Sequence, residues 1–449
     1  MGQYTDKKVI VCGLGISGRA AAMFLLASGA FVHGIDRDAT TLDCHEDVLS
    51  LKRMGMTTGL ESSVKTPLDC DFVVISPGVP SSHPVINAAK VAGIEVIGEI
   101  ELACREIKNP VLGVTGTNGK TTVTLLVTHV LNQNGFKAKA LGNVGIPLCQ
   151  ELLEIDSKTI VVLELSSYQL ETLSQPVLDA GVILNITPDH LDRYAGMEDY
   201  AKAKFMMQNC LKKGAPLYVE DSAYASFGHH LKEVNPRIYG YSAENEIYSD
   251  LKQIFYQNKS LFELPENLKE RKSHDIENLM AAFALCHARG ITGQQFIEAY
   301  HTFKKPSHRI EYVLTMEGVR YYDDSKGTNI DAVIRAVEYL DAPIVLIAGG
   351  VDKGSPYTPW IQGFKKKVKS ICAIGQAAAK IEAQLSYEIP VSLAKDLDHA
   401  VELASTLARE GDIVLLSPGC SSFDMFRDYA HRGEEFQKIV RNISMKALL

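Results

Sequence analysis

The chain has 449 residues and a net charge of −8, and 46% of its residues are hydrophobic. At roughly 150 residues per domain the length predicts about three domains, and the composition excludes a disordered chain. No apolar run exceeds the eight residues of Ala20 to Ala27, which is too short for a membrane span of about 20 residues. The acidic balance argues against a nucleic-acid partner.

The first segment, residues 1–99, alternates short apolar runs with helical stretches. KKVIVCGLG predicts a strand that enters a glycine turn, and GRAAAMFLLASGA predicts an alanine-rich helix that ends at Gly29. FVHGIDRD and CDFVVISPGVP predict two further strands. This βαβ rhythm is typical of a parallel, doubly wound sheet.

The second segment, residues 100–305, begins with another such unit, in which PVLGVTG predicts a strand and KTTVTLLVTHVLNQNG a helix. TIVVLELSS and AGVILNITPDH predict buried strands, IENLMAAFALCHARG an apolar helix, and IFYQNKSLFEL a hairpin that turns near Asn258. The third segment, residues 306–449, returns to strands in IVLIAGG, SICAIG and DIVLLSPG. The lysines at 365–367 and 369 predict a solvated helix face. The sequence thus predicts an α/β fold.

The strongest functional signal is GVTGTNGKTT, residues 113–122, between a predicted strand and a predicted helix. The strict pattern GxxxxGK[ST] requires a glycine where this chain has Val114, although Gly113 and Gly116 flank that position. Small residues still let backbone N–H groups surround phosphates, while Lys120 reaches the β and γ oxygens and the Thr121 hydroxyl binds Mg²⁺. The loop therefore predicts a nucleotide phosphate site and not an ordinary strand–turn–helix corner.

A glutamate and a histidine at the ends of two predicted strands are candidate metal ligands. Glu164 closes the apolar strand TIVVLE, where ATPases with such a loop hold Mg²⁺; the alternative is a partly exposed strand-end glutamate. His190, in NITPDHLDRY, follows another buried strand at the edge where ligands bind in open α/β sheets. Its alternative is a capping or packing histidine.

A glycine pattern near the N-terminus indicates a second nucleotide site. Gly13, Gly15 and Gly18, with Asp36 after the next strand, match a dinucleotide fingerprint. By itself the pattern favours NAD, although any nucleotide pyrophosphate can use the same turn.

Four polar runs stand at predicted strand ends in the third segment. They are HR at 308–309, DDSKGTN at 323–329, GGVDKG at 349–354 and SPGCSSFD at 417–424. Each alone is equally consistent with a turn, but together they predict the rim of a binding site.

The motifs together resemble the Mur ligase family over essentially the whole chain. GLGISG, SPGVP, GEIEL, GTNGKTT, ELSSYQLE, DHLDRY, HRIE, DDSKGTN, GGVDKG and LSPGCSSFDMF stand in the expected order, and the family's loop reads GTNGK[ST]. ELSSYQLE and DDSKGTN point to the members that add D-glutamate, and the sequence lacks the DNPR-type motif of the sister ligases that add a diamino acid.

The resemblance implies three domains and a reaction. The domains are a UDP-binding Rossmann-like domain at 1–99, a central ATPase domain with a mostly parallel sheet at 100–305 and a Rossmann-like amino-acid domain at 306–449. The implied reaction joins D-glutamate to UDP-N-acetylmuramoyl-L-alanine through an acyl phosphate, with release of ADP and phosphate, as a cytoplasmic step of peptidoglycan synthesis. The implied enzyme is a monomer without nucleic-acid or membrane partners.

The resemblance also implies roles for individual residues. The catalytic residues are Lys120, His190 and Lys204. Two Mg²⁺ sites are held by Thr121, Glu164, His190 and a carbamylated Lys204. ATP contacts fall to Gly116, Thr117, Asn118, Gly119, Lys120, Thr121, Thr122, Asn278, Arg309, Asp324 and Lys326. The UDP-sugar is framed by Ser17, Asp36, Arg37, Ser76, Gly78, Asn143 and Ser166. D-Glutamate is framed by Thr328, Lys353, Ser422, Phe423 and Tyr429.

Two positions need separate comment, Lys204 because its role depends on the resemblance and Asp275 because it departs from the family pattern. Without the resemblance, Lys204 predicts only an exposed helical lysine, and Lys202 competes with it for the metal role. Where the family has His-Asn, this chain has His274-Asp275, and a carboxylate cannot donate to adenine as an amide does.

The alternatives are a sister Mur-type ligase, a folylpolyglutamate-type ligase, an NAD-dependent dehydrogenase and a non-catalytic nucleotide-binding scaffold. The dehydrogenase rests on the glycine fingerprint and leaves GTNGKTT unexplained. The scaffold is disfavoured by the intact set of Lys120, Thr121, Glu164, His190 and Lys204. Nine scattered cysteines without a CxxC pair indicate neither a zinc nor a redox motif and suit a reducing compartment.

Overall fold

The computed structural model describes residues 3–64, 68–80, 82–232, 234–270 and 272–447. The chain forms two compact units. The first comprises Met1–Asn185 and Ala201–Phe303, and the second comprises Ile186–Tyr200 and Lys304–Leu449. Three sheets run through them, so that the α/β fold predicted from the sequence is confirmed. The predicted domain boundaries near residues 99 and 305 stay predictions.

The first sheet contains five parallel strands in the order β3-β2-β1-β4-β5. The strands are β1 Lys8–Cys12, β2 Phe31–Asp36, β3 Thr57–Leu60, β4 Phe72–Ile75 and β5 Glu95–Gly98. The helices are α1 Ile16–Ala27, α2 Ala39–Cys44, α3 Glu46–Arg53, α4 Pro84–Val91 and α5 Glu99–Cys104. The strand order reverses between β1 and β4, which is where open α/β sheets bind ligands.

The middle sheet has the order β14-β13-β12-β11-β10-β9-β6-β8-β7. Its neighbouring strands are parallel from β7 as far as β12, and β12, β13 and β14 are antiparallel to one another in turn. Its strands are β6 Val111–Thr115, β7 Ala138–Gly142, β8 Ile160–Glu164, β9 Leu178–Ile183, β10 Leu217–Glu220, β11 Arg237–Gly240, β12 Ile247–Ser249, β13 Gln253–Tyr256 and β14 Lys259–Glu263. The accompanying helices are α6 Lys120–Gln133, α7 Leu148–Glu151, α8 Ser167–Leu170, α9 Met197–Phe205, α10 Asp221–Phe227, α11 His274–His287 and α12 Gly293–Tyr300.

The apolar strands β6 and β8 are buried along their whole length, as expected of parallel strands that are covered on both faces. Helix α11 packs against α6 and is buried from Asn278 to Cys286 without interruption, which is typical of a helix that lies inside a core. The predicted hairpin forms between β13 and β14, with Gln257 and Asn258 at positive φ, as a two-residue turn requires.

The third sheet has the order β15-β16-β20-β17-β18-β19, with an antiparallel β15–β16 pair and parallel neighbours elsewhere. Its strands are β15 Glu311–Met316, β16 Val319–Asp323, β17 Ile344–Gly349, β18 Val368–Ile374, β19 Val391–Leu393 and β20 Ile413–Leu416. Its helices are α13 Ile330–Tyr339, α14 Pro359–Gly363, α15 Ala378–Leu385, α16 Leu397–Leu407 and α17 Tyr429–Ala447.

The helical lysine face predicted at 365–369 is wrong. Lys365 and Lys366 lie in a turn at positive φ, and β18 begins at Val368. Lys367 Nζ donates to the carbonyl oxygens of Val337 and Leu340, so it satisfies the C-terminal end of α13 and does not cover a helix surface.

No helix within the described ranges combines the length and the apolarity that a membrane crossing requires.

Candidate active site

The loop between β6 and α6 adopts the conformation that its glycines permit. Gly116 and Gly119 have φ values of 144° and 91°, which residues other than glycine rarely adopt. A Cβ at Gly119 would overlap Asn278 Oδ1, so the predicted ATP residue Asn278 lies directly against the loop. Asn278 lies near the start of α11, which packs against α6, the helix that follows the loop.

A clamp that the sequence did not predict holds the same loop. The backbone nitrogen of Thr117 donates to Asn185 O at 2.8 Å, and that of Asn118 donates to Asn185 Oδ1 at 3.0 Å. Asn185 Nδ2 in turn donates to Asn118 O at 3.1 Å. Asn185 follows β9, the strand beside β6. Its place before the DHLDRY motif was visible in the sequence, but its partner was not.

Two lysines meet at one oxygen of the loop. Lys120 Nζ donates to Gly116 O at 2.9 Å and to Thr117 O at 2.8 Å. Lys204 Nζ, from α9, donates to the same Gly116 oxygen at 2.8 Å. Lys204 is only 1% exposed, so the expectation of an exposed helical lysine is wrong, whereas Lys202 is exposed.

Glu164 carries a buried acceptor without a protein partner. It closes β8 beside Val114 of β6, and its Oε1 accepts a hydrogen bond from Asn143 Nδ2 at 2.9 Å. Its Oε2 is buried and has no hydrogen-bond partner among the described residues. An acceptor left in this way costs free energy unless a ligand satisfies it. With the Thr121 hydroxyl in the first turn of α6, these oxygens fit the donor set that Mg²⁺ prefers.

The second unit contains the remaining predicted ATP residues. Asp324 follows β16, and its Oδ2 accepts the Ser417 hydroxyl at 2.6 Å while its Oδ1 accepts the Ile310 N–H at 3.3 Å. Burial raises the pKa of this carboxyl to about 7, although the positive charge of Arg309 opposes the rise. The carboxyl can therefore change its ionisation near neutral pH.

Lys326 and Tyr429 are brought together by a buried arginine. Lys326 Nζ lies 3.7 Å from the centre of the Tyr429 ring, a cation–π geometry. The Ser325 hydroxyl donates to Tyr429 O at 2.7 Å, and Arg432 Nε donates to that hydroxyl oxygen at 2.9 Å. Arg432 is completely buried and also donates to the Cys420 carbonyl. No motif in the sequence indicated this role of Arg432.

Lys353 is paired within the second unit. Its Nζ lies 3.0 Å from Asp189 Oδ1, and Asn329 Nδ2 donates to the other oxygen of Asp189 at 3.4 Å. His190, whose φ is 56°, has its Nε2 at 3.7 Å from that same oxygen. The pairing indicates that Lys353 lies where a carboxylate is stabilised.

The other predicted D-glutamate residues lie on loops that follow neighbouring strands of the third sheet. Thr328 follows β16, Lys353 follows β17 and Ser422 follows β20, and these three strands are adjacent in the order β16-β20-β17. Ser422 is buried and Phe423 is 73% exposed. These predicted residues thus share the carboxyl edge of the third sheet, and their role as the rim of a binding site stays a prediction.

The predicted UDP-sugar residues of the first sheet surround its glycine turn. Gly13 has a φ of 83°, and a Cβ at Gly18 would overlap Gly13 O, so helix α1 packs closely on the turn. The Ser76 hydroxyl donates to Gly13 O at 2.7 Å, and Asp36 Oδ2 accepts the Leu14 N–H at 2.7 Å. These contacts place Ser76 and Asp36 at the turn.

The remaining UDP-sugar candidates are more scattered. Ser17 lies in the first turn of α1, Arg37 directly follows β2 and Gly78 follows β4. Ser166 lies after β8 as the N-cap of α8, where it forms a capping box with Gln169. Asn143, which bonds Glu164, follows the adjacent strand β7, so these last two belong to the edge of the middle sheet.

The predicted site residues therefore form one set in each unit. The first unit contains the 116–122 loop, Glu164, Lys204 and Asn278, together with the UDP-sugar candidates. The second contains His190, Arg309, Asp324 and Lys326, together with the D-glutamate candidates.

Comparisons with known proteins match three family descriptions along the chain. They are the MurD-like N-terminal domain of Mur ligases at residues 7–98, the Mur ligase middle domain at 114–286 and the Mur ligase glutamate ligase domain at 308–420.

Individual proteins match nearly the whole chain. UDP-N-acetylmuramoylalanine–D-glutamate ligase of Protochlamydia amoebophila is 54% identical over 98% of both chains, and the protein of the same name from Koribacter versatilis is 39% identical, also over 98% of both. The fold is similar to that of a MurF ligase from Thermotoga maritima in complex with ADP, with a TM-score of 0.60 at 15% identity over 92% of this chain and 95% of that one. The chain belongs to the Mur ligase family.

Proposed function

We infer that the chain is an ATP-dependent amide ligase that adds D-glutamate to UDP-N-acetylmuramoyl-L-alanine in peptidoglycan synthesis. The observation that carries this inference is the phosphate loop, in which Lys120 and the clamped backbone of Thr117 and Asn118 stand beside a buried Glu164 oxygen without a protein partner. The names of the 54% and 39% identical relatives support the choice of D-glutamate.

The reaction requires activation of a carboxylate, which is a poor electrophile. The carboxylate oxygen of the alanyl group attacks the γ-phosphorus of ATP, and the bond from that phosphorus to the β–γ bridging oxygen breaks. ADP is released, and the alanyl group becomes an acyl phosphate. The amino nitrogen of D-glutamate, after losing a proton, attacks the acyl carbon, and phosphate leaves with the bonding electrons. The protein therefore stabilises negative charge on a moving phosphoryl group and orients two anionic substrates.

Lys120 and the backbone N–H groups in the first turn of α6 supply stabilisation from the chain itself. In the structure Lys120 Nζ donates to Gly116 O and Thr117 O, so its ammonium is already held above the loop. Phosphate oxygens compete for that ammonium as stronger, charged acceptors. Asn185 keeps the amides of Thr117 and Asn118 in place, although each amide in use by Asn185 is not available to phosphate.

Mg²⁺ bound at this loop would neutralise charge on the β- and γ-phosphate oxygens. Thr121 and Glu164 would hold it, and we propose that Lys204 and His190 contribute to a second Mg²⁺ site. An ammonium repels a cation, so this role requires Lys204 to be carbamylated. Its burial beside Lys120 supports that modification. Both ammonium groups donate to Gly116 O, and conversion of Lys204 to a carbamate removes one of these two positive charges.

The second unit would bind the amino acid. Lys353 stabilises a carboxylate of D-glutamate, as it does that of Asp189 in the structure, and Thr328, Ser422, Phe423 and Tyr429 frame the rest. Arg309, Asp324 and Lys326 are the proposed ATP contacts of this unit, and Asn278 is a proposed ATP contact of the first unit. Ser17, Asp36, Arg37, Ser76, Gly78, Asn143 and Ser166 frame the UDP-sugar.

The proposal is tested by phosphate release from ATP in the presence of UDP-N-acetylmuramoyl-L-alanine. D-Glutamate, L-glutamate and meso-diaminopimelate are compared as the amino-acid substrate. We expect release that depends on D-glutamate, with a mass gain of one glutamyl residue in the UDP-linked product. Stimulation by another amino acid in place of D-glutamate would identify a sister ligase, and no amino-acid dependence would overturn the proposal.

A further inference from the structure

Three side chains that the proposed reaction does not use come together at the carboxyl edge of the first sheet. Cys12 ends β1, Glu61 begins a short 3₁₀ turn after β3, and His83 is the N-cap residue of α4. One donor atom of each lies within 4.8 Å of the donor atoms of the other two. The three residues are separated by 49 and 22 positions, so that only the fold unites them.

Two direct contacts join the three side chains. Cys12 Sγ lies 3.8 Å from His83 Nδ1, and His83 Nε2 lies 2.9 Å from Glu61 Oε2. Ligand atoms around a tetrahedral Zn²⁺ are about 3.3 to 3.7 Å apart, as bond lengths of about 2.0 to 2.3 Å require. His83 meets Cys12 and Glu61 through opposite ring nitrogens, and its Nδ1 also accepts the Val85 N–H at 3.3 Å. For all three side chains to bind one cation at Nδ1, the Glu61 carboxylate must turn away from Nε2 and the cation must replace the Val85 N–H.

We propose that Cys12, Glu61 and His83 form a site for a borderline-soft divalent cation of the Zn²⁺ class. A thiolate sulfur selects such cations over Mg²⁺, and imidazole and carboxylate complete a three-ligand set that leaves one position open. A thiolate and a carboxylate carry two negative charges, which a dication neutralises. The Cys12 thiol releases its proton on binding, while the imidazole remains neutral and keeps its proton on the nitrogen that does not bind the cation.

A nucleophilic role for Cys12 is the weaker explanation of the same geometry. Cys12 is completely buried, and burial raises the pKa of its thiol to about 12, with further contributions from the negative charges of Glu61 and Asp36. A thiol of this kind stays protonated at neutral pH and does not attack a substrate. The neighbouring negative charges that oppose a free thiolate favour a bound cation.

Among the described residues, the partly exposed members of the group are Glu61 and His83. The Cys12 sulfur lies within an apolar cluster that includes Ile10, Val79 and Val85, whereas the Glu61 side chain is 21% exposed and that of His83 is 10% exposed. A cation entering past Glu61 would join the end of β1 to the segments that begin at Glu61 and His83. It would thereby brace the edge that carries the glycine turn.

The test uses the full chain, stripped of metal with a chelator and kept in excess Mg²⁺ so that oxygen-ligand sites are filled. Co²⁺ is titrated as the probe, and its thiolate-to-metal charge-transfer absorption in the near ultraviolet is recorded. We expect one Co²⁺ per chain, about one proton released per Co²⁺ bound, and loss of the band when Zn²⁺ is added. This readout requires no substrate and is independent of the ligase proposal.

Variants decide which residues hold the cation. Cys12→Ser should abolish the band, Glu61→Gln should weaken Co²⁺ binding at least about tenfold, and Cys44→Ser, which removes an exposed thiol, should change neither. Circular dichroism checks that each variant folds. If Cys12→Ser does not fold, the Co²⁺ affinity of Glu61→Gln provides the decisive result. Absence of the band in the wild-type chain, a band that survives Cys12→Ser, or an affinity unaffected by Glu61→Gln would overturn the proposal.

Discussion

Lys204 and Lys120 donate to the same carbonyl oxygen, that of Gly116, at 2.8 and 2.9 Å. Their ammonium nitrogens are therefore no more than about 6 Å apart, where two like charges repel by roughly 3 kcal/mol at an effective dielectric constant near 20. Carbamylation of Lys204 would turn this repulsion into attraction and would supply an oxygen ligand for Mg²⁺.

We expect Lys204→Ala to be nearly inactive and to regain part of its activity when a short-chain carboxylic acid is added. The acid would fill the space left by the side chain and would supply the missing oxygen ligand. Phosphate release with and without acetate or propionate measures the effect. Lys202→Ala, on the exposed side of the same helix, is the matched control and should retain wild-type activity. Full activity of Lys204→Ala without added acid would remove Lys204 from the metal site.

Glu164→Gln should raise the Mg²⁺ concentration needed for half-maximal activity by about tenfold or more. The variant removes the charge of the unpartnered Oε2, while its amide oxygen still accepts from Asn143 Nδ2. The fold should therefore be preserved. A Mg²⁺ titration of phosphate release measures the shift, with the exposed Glu154→Gln as control. An unchanged Mg²⁺ requirement would mean that Glu164 does not bind the metal.

Asp324 should make stability depend on pH in a definite direction. Burial raises its pKa to about 7, whereas the unfolded chain ionises this carboxyl near pH 4. Between these values the folded protein binds more protons than the unfolded chain, so the free energy of unfolding contributed by Asp324 falls as pH rises.

Asp324→Asn removes this pH-dependent loss. Relative to wild type, we expect the variant to gain on the order of 2 kcal/mol between pH 5 and pH 8, while ATP-dependent activity falls. The sole tryptophan, Trp360, is buried in the second unit and packs against Gly419, so its fluorescence follows unfolding of the unit that contains Asp324. A stability difference that does not change with pH would contradict the expectation.

Lys353→Met should raise the KM for D-glutamate by at least about 30-fold, which corresponds to roughly 2 kcal/mol for a lost charge-assisted contact. The KM for ATP should stay close to the wild-type value, because the amino acid is the one substrate that Lys353 is proposed to contact. Initial rates at varied D-glutamate and ATP give both constants. Lys365→Met, in an exposed turn, serves as the control. Equal increases in both KM values would assign Lys353 a general structural role.

The regular elements of the sheets could be predicted because their apolar runs are local. β6 and β8 are buried along their whole length, so each appears in the sequence as a short, mostly apolar run. The lysines at 365–369 misled the interpretation because charge alone does not distinguish a helix surface from a turn. Lys367 binds carbonyl oxygens at the end of α13, about 30 positions earlier in the chain.

The candidate site was predictable only in part, because some of its contacts join residues that are distant in the chain. The phosphate loop and Glu164 are recognised from short contiguous patterns. Asn185 and Arg432 act through partners that the chain brings near from distant positions, and no spacing rule contains that information. The Cys12 group is the extreme case, since the absence of a CxxC pair indicated no zinc motif while the fold assembles three ligand types from three segments.

The approach of Asn278 to Gly119 couples two positions that are far apart in the chain. Any side chain at position 119 would have to adopt a left-handed backbone and would also collide with Asn278 Oδ1. A change at 119 is therefore tolerated only together with a smaller residue at 278 and a repositioned loop. Among related sequences, a residue other than glycine at 119 should therefore occur only where position 278 carries a smaller side chain.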